Sequence, residues 1–250
     1  MTARLPLVAA LLCIAGTASA QDLATTCGVA STYDLTLGPT ALEFNRSEAP
    51  PRAVRMHDGT LETDGRAVSL RPDEQDRVAL FERQVRSLVP KAKAIANDGV
   101  DLAARAVQDE AATAAPNAVA SGELDRVLNA RVADIKRRIA ASQSTRDWQE
   151  GAMRAYAQEI VADVGPILTQ DVGSEAMQLA MNGDLQGAAE LRDRVAAVST
   201  GGQARVVARV ESALRPRIQA LCPAVRQLVE LSASLHDAAG HPLLLVEPGG

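Results

Sequence analysis

Two Asp-Gly pairs, Asp58-Gly59 and Asp64-Gly65, constrain this chain more than any other feature it carries. Asp-Gly suits a two-residue type I′ turn, in which both positions take φ > 0, so each pair predicts a tight hairpin. With Asp58-Gly59 as the first turn, Met56 faces Leu61 and Arg55 faces Glu62; with Asp64-Gly65 as the second, Leu61 faces Val68 and Glu62 faces Ala67. Val54, Met56, Leu61, Val68 and Leu70 then share one apolar face, and Arg55, His57, Thr60, Glu62 and Ser69 share the other. A slip of one residue would mix the two faces, so turn chemistry and side-chain pattern select the same register. Arg71-Pro72-Asp73-Glu74 follows, with proline suited to the first helical position and two acids in the first turn: the start of a long helix.

Upstream, Tyr33, Leu35 and Leu37 alternate with polar residues before Gly38-Pro39, and Leu42 and Phe44 resume the alternation, giving one or two further strands. Residues 21–70 are therefore read as an N-terminal antiparallel β region. From Pro72 the period changes to about 3.5: Val78, Phe81, Val85, Leu88, Ala92, Ile95, Gly99, Leu102 and Ala106 form a heptad seam, with a kink or split expected at Pro90. A second helix over about 121–142 puts Leu124, Leu128, Val132, Ile135 and Ile139 on one face and can fold back on the first. A polar break at 142–145 precedes a third helix with Met153, Tyr156, Ile160, Val164 and Ile167 on one stripe, bent near Gly165-Pro166. Residues 172–200 read as two short helices around Asn182-Gly183, with Leu185, Ala188, Val195 and Val198 on Ala-rich contact faces. Gly201-Gly202 reads as a break, and a last helix over about 204–236 is expected to kink at Pro216 and Pro223. The fold class is α+β and mostly helical: a small antiparallel meander, then an extended bundle of long antiparallel helices over 71–239. Residues 240–250 are expected to be a flexible tail, although Leu243 to Val246 is apolar enough to add a strand or dock.

Residues 1–20 have the form of a signal peptide: a basic start at Arg4, an apolar run from Leu5 to Ala15, and Ala18-Ser19-Ala20 before an expected cleavage. That run is too short to span a bilayer, so the expectation is an exported, periplasmic protein that is not an integral membrane protein. Cys13 and Cys27 lack the small preceding residue of a lipoprotein signal, since Leu12 and Thr26 stand there. About 230 residues remain, enough for one large or two small domains. The whole chain has net charge −5 and only 2% aromatic residues, which argues against nucleic acid and glycan partners, since these need basic patches or stacking platforms. Cys27 and Cys222 survive processing, and in an oxidising compartment an even count implies one disulfide between them; two free thiols are the alternative.

No catalytic, cofactor or metal residues are assigned. His57, His236 and His241 have no helical metal-ligand spacing, and His236 is accounted for by a helix end. Asp73-Glu74 and Asp109-Glu110 are better explained as first-turn or solvated-face acids than as general acid and base, because sequence neighbours on a helix point about a hundred degrees apart. The apolar heptads serve either as internal core or as a groove for a partner helix or an acyl chain.

Over nearly all of its expected mature length the chain resembles the YggN-like family of uncharacterised proteobacterial periplasmic proteins, a domain of unknown function. The resemblance is most specific at Asp58-Gly59 with Gly65 and Ser69-Leu70 at unchanged spacing. It is also carried by Val85-Arg86-Ser87-Leu88-Val89-Pro90 and the Gly165, Ile167, Leu168 segment. Cys27 and Cys222 resemble the family's cysteine pair, whereas Pro216 and Pro223 depart from its smoother last helix. The resemblance implies an exported envelope protein and brings no catalytic residues. Three readings follow: a non-enzymatic protein acting on an envelope partner as scaffold, adaptor or chaperone; a carrier of an amphiphile; and a hydrolase with dispersed carboxylates.

Overall fold

The computed structural model describes residues 26–249, and of residues 150–154 only the backbone. The expected signal peptide and its cleavage site lie outside the described residues, as does the side chain of Met153. In chain order the strands are β1 Val29–Ala30, β2 Asp34–Leu37, β3 Leu42–Asn45, β4 Ala53–His57, β5 Thr60–Thr63 and β6 Arg66–Ala67. The helices are α1 Pro72–Ala114, α2 Pro116–Ala120, α3 Glu123–Ala141, α4 Glu150–Met181, α5 Leu185–Gln219 and α6 Cys222–Ala233, and β7 Glu247–Pro248 closes the series. The protein is thus α+β and mostly helical. The packing of the described residues divides into two compact units, one of residues 26–96, 141–149 and 215–249, the other of 97–140 and 150–214.

In the first unit β2 to β6 form a five-stranded antiparallel meander in sequence order. Met56 pairs with Leu61, Arg55 with Glu62, and Glu62 with Ala67, the register that the turns and the pattern select. Asp58, Gly59, Asp64 and Gly65 all have positive φ, as type I′ turns require. Val54, Met56 and Leu61 are buried against Val78, Phe81, Val85 and Leu88 of α1 in one hydrophobic core. Helix α1 starts where expected, and Glu74 Oε2 accepts the Arg71 backbone N–H at 2.8 Å, half of a capping box.

Glu82, buried on α1, accepts two hydrogen bonds from the Arg86 guanidinium and one from the Asp58 backbone N–H, while Arg86 Nη1 donates to the Gly38 carbonyl at 2.9 Å. One ion pair therefore fastens the helix to two turns of the meander, that between β2 and β3 at Gly38 and that between β4 and β5 at Asp58. Gly59 lies so close to α1 that a Cβ there would stand 2.9 Å from the Gln75 carbonyl oxygen, at φ +78°, whereas Gly65 at φ +74° faces open space. Gly59→Ala should accordingly cost about 2 kcal/mol or more and Gly65→Ala about 1 kcal/mol, measured by urea unfolding. Equal costs would mean that the helix yields freely at Gln75.

The segment after α3, read from sequence only as a polar break, covers the sheet edge. Leu37 N donates to Gln143 O at 2.7 Å, Leu35 N to Thr145 Oγ1 at 2.9 Å, and Asp34 accepts from Arg146 and Gln149. An edge strand otherwise open to pairing with another chain is closed. The expected flexible tail is also ordered. Leu243 and Leu245 are fully buried, Val246 N donates to the buried Ser232 hydroxyl, and β7 pairs with β1. Burial of the two leucines acts together with these hydrogen bonds and the β1 pairing against the entropy of holding a short Pro- and Gly-rich segment. Cys27 and Cys222 are both buried and bonded to each other within this unit.

The expected break at Gly201-Gly202 is absent, and the prolines expected to kink or bend their helices do not end them. α1 continues through Pro90, α4 through Pro166, and α5 through Gly201-Gly202 and Pro216. The real interruption near the C-terminus falls at Ala220-Leu221, so that Pro223 sits in the first turn of α6, where its missing N–H costs nothing. The second unit is built from the end of α1 and from α2 to α5 around Ala106, Leu124, Leu128, Val164, Val198 and Val206. Burial of Val198 and Val206 on either side of Gly201-Gly202 offsets the ~1 kcal/mol that each glycine costs a helix.

Candidate functional site

The acids that the fold draws together in the second unit are Asp134 of α3 and Glu159 and Asp163 of α4. Arg131 donates to Glu159 at 2.6 Å and to Asp163, and Arg138 lies 2.7 Å from Asp134 and 3.2 Å from Glu159. The Arg138 guanidinium also stacks over the Tyr156 ring at 5.0 Å, and its pKa is raised chiefly by the Glu159 hydrogen bond. Each carboxylate faces an arginine, an arrangement that neutralises charge and leaves no pair poised as acid and base. Among the described residues no group of three His, Cys, Asp or Glu side chains could hold a metal.

The histidines are held locally. His57 Nδ1 lies 2.6 Å from Thr40 O, His236 Nδ1 lies 3.0 Å from Ser234 O, and His241 Nδ1 lies 3.2 Å from Asp237 Oδ2. A cleft of about 160 Å³ lies between Leu70 and Glu74 on one side and Ser234, His236 and Asp237 on the other. Its acids are engaged. Glu74 holds the Arg71 N–H, and the backbone N–H groups of His241 and Ala239 lower the Asp237 pKa, with help from the His241 ring. A carboxylate whose folded pKa is depressed stabilises the fold above its ordinary range and loses that effect as pH falls through the lowered value. Asp237→Asn should therefore destabilise the protein near neutral pH, and the melting midpoints of wild type and variant should converge on acidification; a constant gap in melts across that range would contradict this.

The feature that stands apart is the outer side of α4. From Ala155 to Gly183 every exposed residue is uncharged. Those residues recur every three or four positions, through Ala162, Pro166, Gln170, Ser174 and Met177 to Met181, and so lie along one side of the helix. A solvated helix face ordinarily carries charge. Towards its end the stripe becomes strongly apolar: Met177 is 65% exposed, Met181 73%, and Leu185, just past the turn, 84%.

Local chemistry fixes this tip. Gly183 takes φ +67°, and the N–H groups of Asp184 and Gly183 donate to Leu179 O and Ala180 O, closing α4 with a Schellman motif. The Asp184 carboxylate then accepts Gly187 N at 2.8 Å and caps α5. The Asn182-Gly183 break was legible in the sequence. Leu185 and Ala188, read as contact-face residues, are instead exposed, while Val195 and Val198 are buried as expected. Helical spacing gives a stripe but not what lies against it, and the only sequence sign of this surface is the absence of Lys and Arg from Ala155 to Leu191.

A model of a protein family described as protein of unknown function (DUF2884) matches residues 27–241, from the first disulfide cysteine to the last histidine. The chain belongs to this family. No curated protein and no solved structure matches it. The match takes in the meander, the Glu82–Arg86 clamp, the disulfide and the whole of the bare α4 face. Membership of DUF2884 fixes no activity. Among the described residues, no helix is long and apolar enough to cross a membrane.

Proposed function

We propose that this DUF2884 protein is an exported, non-enzymatic protein of the periplasm that acts by binding another protein, with the outer face of α4 as its docking surface. The exposed, uncharged stripe ending in Met177, Met181 and Leu185 carries the reading: apolar anchors at helical spacing are the means by which one helix recognises another, and methionine adapts its shape to a partner. The disulfide supports export, since such bonds persist in oxidising compartments. The YggN-like resemblance supports the same setting. The apolar seams weigh against an amphiphile carrier, because Phe81, Leu88, Leu124 and Val164 are spent in the two cores. The arginine-bound acids weigh against a hydrolase. A photo-crosslinking residue placed at Met177 in cells should give a discrete heavier product, and one at exposed Arg192 should not. Absence of any product at 177 would end this reading.

A further inference from the structure

We infer that the partner segment received by the α4 face is a cationic amphipathic helix; this rests on the docking reading above and adds the partner's chemistry to it. Shape comes first. The stripe from Ala155 to Met181 runs about 39 Å at helical rise, and its members Ala155, Ala162 and Gly173 are small enough for a second helix to approach closely. Met177, Met181 and Leu185 then offer the apolar anchors at one end.

Charge selects among helices. From Ala155 to Leu191 the chain has six acids, Glu159, Asp163, Asp171, Glu175, Asp184 and Glu190, and no Lys or Arg. Arg131 and Arg138 take up Glu159 and Asp163, and Arg194 takes up Glu175. Asp184 and Glu190, at the exposed tip, bond instead to uncharged donors, the Gly187 backbone and the Gln186 amide. The last turn of α4 contains no basic residue, so no cationic side chain of its own faces the negative end of this helix beside Met177 and Met181. Apolar anchors followed by the two carboxylates Asp184 and Glu190, each bonded only to uncharged donors, fit lysine or arginine side chains flanking an apolar stripe. An anionic lipid surface would be repelled by the same charge, and a second copy of this chain would set Asp184 and Glu190 against another segment free of cations.

The test uses the full mature protein and three probes: a labelled Lys/Leu amphipathic helical peptide, its Glu/Leu counterpart, and vesicles with and without anionic lipid. The Lys/Leu peptide should bind at least about tenfold more tightly than the Glu/Leu peptide, and less tightly as salt is raised. Met177→Ser/Met181→Ser/Leu185→Ser should weaken it by about tenfold or more, and Asp184→Asn/Glu190→Gln, which keeps a capping side chain, should remove most of the salt dependence. Both variants alter exposed positions, and an unchanged thermal transition shows that each is folded. Equal binding of the two peptides, undiminished binding by the serine variant, preference for anionic vesicles, or self-association lost in the serine variant would each overturn the assignment. Crosslinking at Met177 in cells together with equal peptide affinities would overturn the charge assignment while leaving the docking reading intact.

Discussion

Opening the Cys27–Cys222 bond should lower the thermal unfolding midpoint by about 10–20 °C, the largest effect expected of any single change to covalent structure here. The bond closes a loop across 195 positions of sequence, which spans nearly all the described chain. In the chain-entropy model, a cross-link over so long a loop removes about 5 kcal/mol of freedom from the unfolded state. It also secures β1, and through it β7, to the start of α6 at a point where the secondary structure contributes little: β1 and β7 are only two residues each. The comparison is a melt with and without reductant, beside the double variant Cys27→Ser/Cys222→Ser. The variant should match the reduced wild type and ignore reductant. A midpoint unmoved by reduction would mean that core packing alone holds the N-terminal segment and the last helix in place.

Phe81→Ala should cost about 3–5 kcal/mol, while Phe81→Leu should cost under about 1.5 kcal/mol because it keeps most of the volume. Aromatic residues are scarce in this protein, with two Phe, two Tyr and one Trp in all, and three of the five meet in one place. The Phe81 ring, fully buried, lies 5.9 Å from that of Phe44, which in turn meets Tyr33 edge to face at 6.3 Å. Tyr33 then carries the guanidinium of Arg46 over its face at 4.3 Å and donates its hydroxyl to Pro51 O. The surrounding core is otherwise aliphatic, so nothing of comparable size can collapse into the space that alanine leaves. Denaturant unfolding measures both variants, and a loss of less than about 1 kcal/mol for alanine would show that the sheet and α1 close over the gap.

The meander could be read from the sequence because its determinants are local. Asp58-Gly59 and Asp64-Gly65 set the turns, alternation sets the faces, and each checks the other. The helix breaks were harder, since proline and glycine report only a local cost. At Pro90 that cost is about 3 kcal/mol, and burial of Val85 and Leu88 on one side and packing of Ile95 on the other exceed it. The cover that residues 141–149 provide for β2 could not be anticipated, because it depends on a contact more than a hundred residues away in sequence, such as Thr145 with Leu35. The α4 face was hidden for a related reason. Alanine, serine, glycine and methionine at helical spacing look the same whether a neighbour covers them or not, and only the packing of the rest of the second unit on the other side of α4 exposes the difference.

Methionine oxidation in cells, compared with oxidation of the purified protein, tests most directly whether the α4 face is a docking surface. Mild peroxide converts exposed methionine to the sulfoxide and spares buried methionine, and mass spectrometry reads each site separately. Met56, fully buried under the meander, should resist in both settings. Met177 and Met181 should oxidise readily in the purified protein and be shielded in cells where a partner is seated on them. Equal oxidation of Met177 and Met181 in both settings, with Met56 still protected, would mean that the face is left uncovered in the cell and that the protein works in some other way.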